Sequence, residues 1–374
     1  MLNKKNKMMY HFHEIDSKIV LWFTQTNKYL FFNSLFYTIF KHFNEYSVED
    51  AKRYLVNDLQ LNESLINVGY QSYKTIINNL SVTDSSQAKI PLMETVDKWY
   101  FTCTYLVYGA LIKLRFSSNY VMELIHPKFE HLLVEISILP SHTIDIVHQS
   151  ENLYLILNTK PVGVWPLDES HFLQGKFALQ LINLCNNKVE SDWMAVLHAS
   201  AVYKEDKGFV FLGESGNGKS TATTLLTLNG YKLLADDFVP VEVSNNKIYS
   251  FPAAISIKEK LLNVMEGSFP QLSNSRLRYK DEHTNYKYLY PQECSKFVTS
   301  VPAKALLFIK YTKDSSTNLK SISTCEALEL IIPDSWISPL PQNVPSFLNW
   351  IQEVPAYRIE YSDNTEFINL INSL

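Results

Sequence analysis

The stretch GFVFLGESGNGKSTATTLLTLNG, from Gly208 to Gly230, holds five of the ten glycines in a chain of 374 residues. Its centre, Gly213-Glu214-Ser215-Gly216-Asn217-Gly218-Lys219-Ser220, satisfies the pattern GxxxxGK[S/T], in which a glycine-rich turn exposes backbone N–H groups that can wrap a polyphosphate. The flanks agree with that reading. Phe209 to Leu212 is a short β-prone run, and Thr221 to Leu228 reads as a helix whose N-terminus points its partial positive charge at the turn. Gly230 stands where a helix is commonly closed by a left-handed residue.

Downstream, Tyr231 to Asp237 (YKLLADD) is an apolar strand ending in two acids, with Asp236 placed 17 residues after Lys219. If that strand lies parallel beside the loop strand, the acids reach the sheet edge where α/β sheets bind ligands. Successive side chains of a strand point to opposite sides, so two adjacent aspartates can divide two tasks. One can accept a proton from an attacking hydroxyl, and the other can hold Mg²⁺ together with the Ser220 hydroxyl. Upstream, Leu197 to Val202 (LHASAV) precedes the loop strand and sets His198 21 residues before Lys219.

Composition narrows the class. A formal net charge of −4 gives no footprint for nucleic acid or a membrane surface, and no apolar run reaches the length of a membrane span. Aromatic residues at 13% and charged residues at 19% describe a well-packed globular protein, and the length of 374 residues suggests two or three domains. Cys103, Cys185, Cys294 and Cys325 form no metal-binding spacing, so they read as reduced core thiols of a cytoplasmic protein.

The N-terminal residues follow a different plan. Tyr10–Ile15, Lys18–Phe23 and Tyr29–Phe32 predict a small antiparallel meander. Asn33 or Ser34, Ser47 and Asn62 are placed to cap three helices, through Phe43, Asp58 and Leu80. The serine-rich tract Ser81 to Lys89 sets a boundary, giving an N-terminal domain at 1–83, a linker at 84–95 and a larger domain at 96–374. In that larger domain, Trp99–Tyr108, Ala110–Phe116, Leu132–Leu139 and Asn152–Asn158 read as strands. A helix over Lys176–Asn186 follows, and the chain closes with a strand at Tyr357–Tyr361 and a helix at Asn364–Leu374.

Taken together, LHASAV, FLGESGNGKSTATTLL, GYKLLADD and Phe251-Pro252 followed by Ile255-Ser256-Ile257-Lys258 resemble the HPr kinase family, whose fold is shared with phosphoenolpyruvate carboxykinase. The resemblance implies a P-loop α/β kinase domain using ATP and Mg²⁺. It implies that Gly213, Glu214, Ser215, Gly216, Asn217, Gly218, Lys219, Ser220 and Thr221 cradle the phosphates, with Lys219 on the β/γ oxygens. Asp236 is then the general base, Asp237 and Ser220 stand at the metal, and His198 lies near the transferred phosphate. Nothing between Val239 and Tyr311 matches the family's additional glycine-containing loop, which sets HPr itself aside as substrate and leaves Glu242 and Glu259 as unassigned acids. Lys258 and Lys287 are candidate phosphate or acceptor contacts.

Residues 1–80, through Tyr29-Leu30-Phe31-Phe32-Asn33 and Tyr46-Ser47-Val48-Glu49-Asp50-Ala51, resemble the PqqD-like peptide-binding domain, or RiPP recognition element. That implies a peptide or protein substrate whose leader adds a strand to the sheet edge. The whole chain then reads as a kinase acting on a serine-type hydroxyl of a ribosomal precursor peptide. A small-molecule kinase or nucleotidyltransferase, with residues 1–83 as lid or homo-oligomer contact, is the alternative, as is a non-catalytic ATP-gated chaperone.

Overall fold

The computed structural model describes residues 8–81, 93–281, 284–290 and 299–374. The linker read at 84–95 lies, up to residue 92, outside the described residues, as does Cys294. Cys103, Cys185 and Cys325 are buried thiols. Among the described residues the architecture is mixed α/β, with sheets of three, ten, three and five strands.

The largest sheet carries the glycine-rich loop. Its strand Lys207–Leu212 runs parallel to Ser300–Tyr311, which runs parallel to Ala356–Tyr361, so three carboxyl ends share one edge. Alternation of side chains explains how this layer is covered. Phe209 and Phe211 point to one face, where they pack with Ala222 and Leu226 of the helix Lys219–Leu228 and with Phe367 and Ile371 of the helix Asn364–Ser373. Val210 and Leu212 point into the main core on the other face, which also takes Phe177, Trp193 and Trp350. Burying such a side chain contributes about 1.5–3 kcal/mol, which fixes the register and with it the height of the loop.

The strand Lys232–Ala235 is not the direct neighbour of the loop strand. Ser200–Lys204 lies between them, antiparallel to both, so Lys232–Ala235 still runs in the loop strand's direction and ends at the same edge. The intervening strand adds Ser200 to that edge.

The flank before the loop forms its own five-stranded sheet from Phe101–Val107, Ala110–Phe116, His142–Gln149, Asn152–Leu157 and Lys160–Pro166. Its inner residues join the main core. Leu132–Leu139, read as a strand, is irregular apart from one bridge between Leu133 and Tyr105. Beyond the buried Leu132, its apolar residues are left largely uncovered by the described residues, with Leu139 89% exposed and Ile138 68%. The helix read from Lys176 begins at Ser170.

The N-terminal meander is present as Tyr10–Ile15, Lys18–Phe23 and Lys28–Phe32, followed by helices Ser34–Glu45, Val48–Asn57 and Glu63–Ser81. Asn33 accepts from the Phe36 N–H, Ser47 from that of Asp50 and Asn62 from that of Ser64, so all three caps form. Both faces of this sheet are buried. Ile19, Leu21, Phe23 and Phe32 pack on the three helices, whereas Ile15, Val20, Trp22 and Tyr29 enter the main core. Polar contacts reinforce that junction: Asn27 Nδ2 donates to the Ile337 carbonyl at 2.9 Å, and the Cys325 N–H donates to Asp16 Oδ2 at 2.9 Å.

Candidate active site

The loop owes its shape to three glycines in the left-handed region, with φ of 137° at Gly213, 96° at Gly216 and 97° at Gly218. At Gly213 a Cβ would stand 2.9 Å from the Ile309 carbonyl, so only glycine fits. Gly218 then opens the helix Lys219–Leu228, which no side chain caps. Among the described residues, no backbone carbonyl takes the N–H groups of Lys219, Ser220 or Thr221. Orphan donors at a helix start, aligned with its dipole, form a cradle for an anion. Lys219 folds back across the loop, donating to the Gly213 carbonyl at 2.6 Å and the Glu214 carbonyl at 3.4 Å.

Two carboxylates face this cradle from the end of Lys232–Ala235. Asp236 is fully buried and accepts from Ser220 Oγ, 3.3 Å from each carboxylate oxygen, and from Ser200 Oγ. Burial and the adjacent charge of Asp237 push its carboxyl up to about 7, against the opposing pull of Lys128 and the two serine hydroxyls. Asp237 has φ of 70°, in the left-handed region, so the backbone leaves the extended form at this residue. Its side chain is 33% exposed and forms an ion pair with Lys128 Nζ. Burial works against its ionisation, but the Lys128 ammonium, with His198 and Lys219, outweighs that and holds it below the usual carboxylate range.

Lys128 is the residue the sequence reading missed. It belongs to the turn His126–Lys128, which precedes Asp237 by more than a hundred residues. Two bonds fix this turn: the Tyr105 hydroxyl meets His126 Nδ1 at 2.7 Å, and the Ala254 N–H donates to the Lys128 carbonyl at 2.9 Å. Burial disfavours the Lys128 ammonium, yet Asp237 and Asp236 raise its pKa above the ordinary lysine value. No local motif marks such a lysine. Ser200 was also missed, although it stands two residues after His198 in LHASAV.

His198 sits on this edge, its N–H donating to Ser335 Oγ at 3.2 Å. Burial, then the nearby charge of Lys219, lowers its pKa, so the imidazole is neutral at pH 7. Lys219 is likewise lowered by burial, although Asp237, Asp236 and Asp334 oppose the shift.

The structure therefore brings Lys219, Ser220, Asp236, Asp237 and His198 to one edge. It groups them differently from the sequence reading, since the Ser220 hydroxyl meets Asp236. Other candidates lie apart. Glu242 is buried under Lys188, Tyr249 and Ser244. Lys287 donates to Glu266 Oε1 at 3.0 Å and to the Leu272 carbonyl at 2.7 Å. Glu259 is exposed and accepts from Asn285 Nδ2, and Lys258 is exposed but near enough for its charge to act on Lys219.

Among the described residues no group of three His, Cys, Asp or Glu side chains forms a cage for a metal ion. A magnesium site does not need one, because Mg²⁺ keeps waters and uses one or two protein oxygens with the phosphates. Ser220 and Asp236 fit that requirement. Among the described residues no helix is long and apolar enough to cross a membrane.

No protein-family model matches the chain, and no curated protein matches it. Among solved structures, the HPr(Ser) kinase/phosphatase from Coxiella burnetii aligns over 48% of this chain and 94% of that one, at 10% identity and a TM-score of 0.24. At that score the likeness carries no weight for the site, which stands on its own geometry.

Proposed function

We propose that this chain is an ATP- and Mg²⁺-dependent kinase of the HPr-kinase-like group, transferring the terminal phosphate to a serine-type hydroxyl of a peptide or protein substrate. One observation carries the reading: a lysine, a serine and two carboxylates of unlike environment converge beside orphan N–H groups, with a second lysine opposite. Phosphoryl transfer asks a protein mainly for positioning and charge stabilisation, and these groups supply both.

Mg²⁺, when bound, would neutralise the polyphosphate and orient its oxygens, held by Ser220 and, directly or through water, Asp236. Asp237 then serves as the base, because it is the carboxylate an acceptor hydroxyl can reach. This exchanges the two roles that the motif resemblance suggests, and the Ser220–Asp236 hydrogen bond favours the exchange. Asp237 accepts the proton of the acceptor hydroxyl. Its charge thereby falls, its ion pair with Lys128 weakens, and that ammonium is freed to face the negative charge developing on the phosphoryl oxygens. Neutral His198 borders the same space without adding charge.

A peptide acceptor fits the N-terminal unit, which we take as PqqD-like and serving a ribosomal precursor peptide. Tyr10–Ile15 is an edge strand that, among the described residues, pairs on one side only, and a cavity of about 340 Å³ lined by Tyr10, His11, Phe12, His13, Pro341, Val344 and Pro345 runs along it. An added strand would find backbone partners there, with side-chain contacts giving selectivity.

The test is mass spectrometry of a precursor peptide encoded near this gene after incubation with ATP and Mg²⁺. A singly phosphorylated peptide is expected, absent with Asp237→Asn. Phe12→Glu, altering a residue 52% exposed on that edge, should raise KM for peptide while leaving KM for ATP unchanged. Transfer to free serine that ignores Phe12→Glu, with no peptide product, would replace the peptide reading by a small-molecule one.

A further inference from the structure

The loop strand has unlike neighbours. On one side, beyond Ser200–Lys204, stand the carboxylates; on the other, the parallel strands Ser300–Tyr311 and Ala356–Tyr361 end in Tyr311 and Tyr361. Tyr311 is tied to the loop, its N–H donating to the Asn217 carbonyl at 3.2 Å, while the residue remains 50% exposed. Tyr361 is fully buried and meets Tyr311 edge-on, with ring centres 5.6 Å apart. The Tyr361 hydroxyl lies 3.5 Å from where a Cβ on Gly218 would stand, and among the described residues it has no hydrogen-bond partner. A buried hydroxyl without a partner is unfavourable, and one set against the glycine that opens the helix is placed to meet a ligand held there.

A polyphosphate held by the loop has two ends. Its reacting end must face Asp236 and Asp237, so the opposite end leaves on the side of Tyr311. We propose that the nucleoside of the bound nucleotide lies there, its base stacked on Tyr311 and its sugar accepting from the Tyr361 hydroxyl. This rests on the reading of the loop as a nucleotide site. An aromatic ring stacks with any base, so the site recognises a nucleoside as a class without selecting adenine by hydrogen bonding.

Calorimetry of Mg·ATP and Mg·tripolyphosphate against the full chain separates the two ends. ATP should bind the wild type on the order of tenfold more tightly than tripolyphosphate. Tyr311→Ala should abolish that preference while leaving tripolyphosphate affinity unchanged, and Tyr311→Phe should keep it. Tyr361→Phe should weaken ATP several-fold, leave tripolyphosphate unaffected and keep or raise the melting temperature, since it removes a hydroxyl that the fold does not use. An ATP preference that survives Tyr311→Ala, or a wild type that binds both ligands equally, overturns the nucleoside site and spares the loop. A wild type that binds neither ligand overturns the loop reading, and this proposal with it.

Discussion

Two buried clusters of carboxylate and lysine lie at the two ends of one short stretch, Asp236–Asp237 before the strand Val239–Glu242 and Glu242 at its close. Glu242 is 2% exposed and accepts from the Tyr249 hydroxyl at 2.7 Å, from Ser244 Oγ at 2.9 Å and from Lys188 Nζ. Burial opposes its charge, but Lys188, Tyr249 and Ser244 outweigh burial and its pKa falls below the usual glutamate range. Asp236, also buried, has two serine hydroxyls and a like charge next to it, and its pKa rises. Residue type does not separate these clusters. What separates them is how completely each carboxylate is satisfied: a saturated one holds the sheet together, and an under-satisfied one is available to a ligand.

The sharpest way to break this comparison is Asp237→Asn, which should lower phosphoryl transfer, measured on the folded fraction, by roughly 10²- to 10⁴-fold. Transfer within tenfold of wild type would remove Asp237 as the base. Next comes Glu242→Gln, which leaves Lys188 without its counter-charge. Denaturant unfolding should show a loss of about 2–4 kcal/mol, with turnover of the folded fraction unchanged. A variant that loses activity while keeping its stability would erase the distinction between the clusters.

Asp236→Asn should act in the opposite direction on the metal-free protein. The folded state retains a proton on Asp236 that the unfolded chain releases near the ordinary aspartate value. Its contribution is therefore complete below about pH 4 and lost as pH rises through about 7. At pH 8 the asparagine variant should be more stable than wild type, on the order of 1–3 kcal/mol, although its Mg²⁺-dependent nucleotide binding fails. Glu242 has the reverse slope, stabilising above its unfolded value and losing that effect as pH falls through its depressed folded value. Equal pH dependence of unfolding for Asp236→Asn and wild type would contradict the assignment. The smallest effect is that of Ser244→Ala, which takes one of three donors from Glu242 and should cost about 1 kcal/mol.

The loop and its helix were legible in the sequence because glycine, lysine and serine at fixed offsets encode a local backbone shape. The N-terminal caps were legible for the same reason, each being a contact within three residues. The carboxylate pair was visible, but its division of labour was not. That depends on Ser200, inserted by a strand between the loop and the aspartates, and on the left-handed turn at Asp237. Lys128 was out of reach altogether, since its pairing with Asp237 is made by packing one sheet against another. Leu132–Leu139 misled because the alternation in Val134-Glu135-Ile136-Ser137-Ile138 does not say whether anything will cover its apolar side.

The sheet that buries Trp22 and Tyr29 against the main core has a consequence for synthesis. Its helical side is complete once residue 81 has been made, but the surfaces that cover its other face, around Cys325, Ile337 and Phe347, emerge some 300 residues after it. At roughly 5–20 residues per second, that face waits about 15–60 s on the ribosome with a tryptophan and a tyrosine uncovered. The order of translation therefore makes the strands from Tyr10 to Phe32 a natural client for chaperones, and the arrival of residues 325–347 the step that releases them.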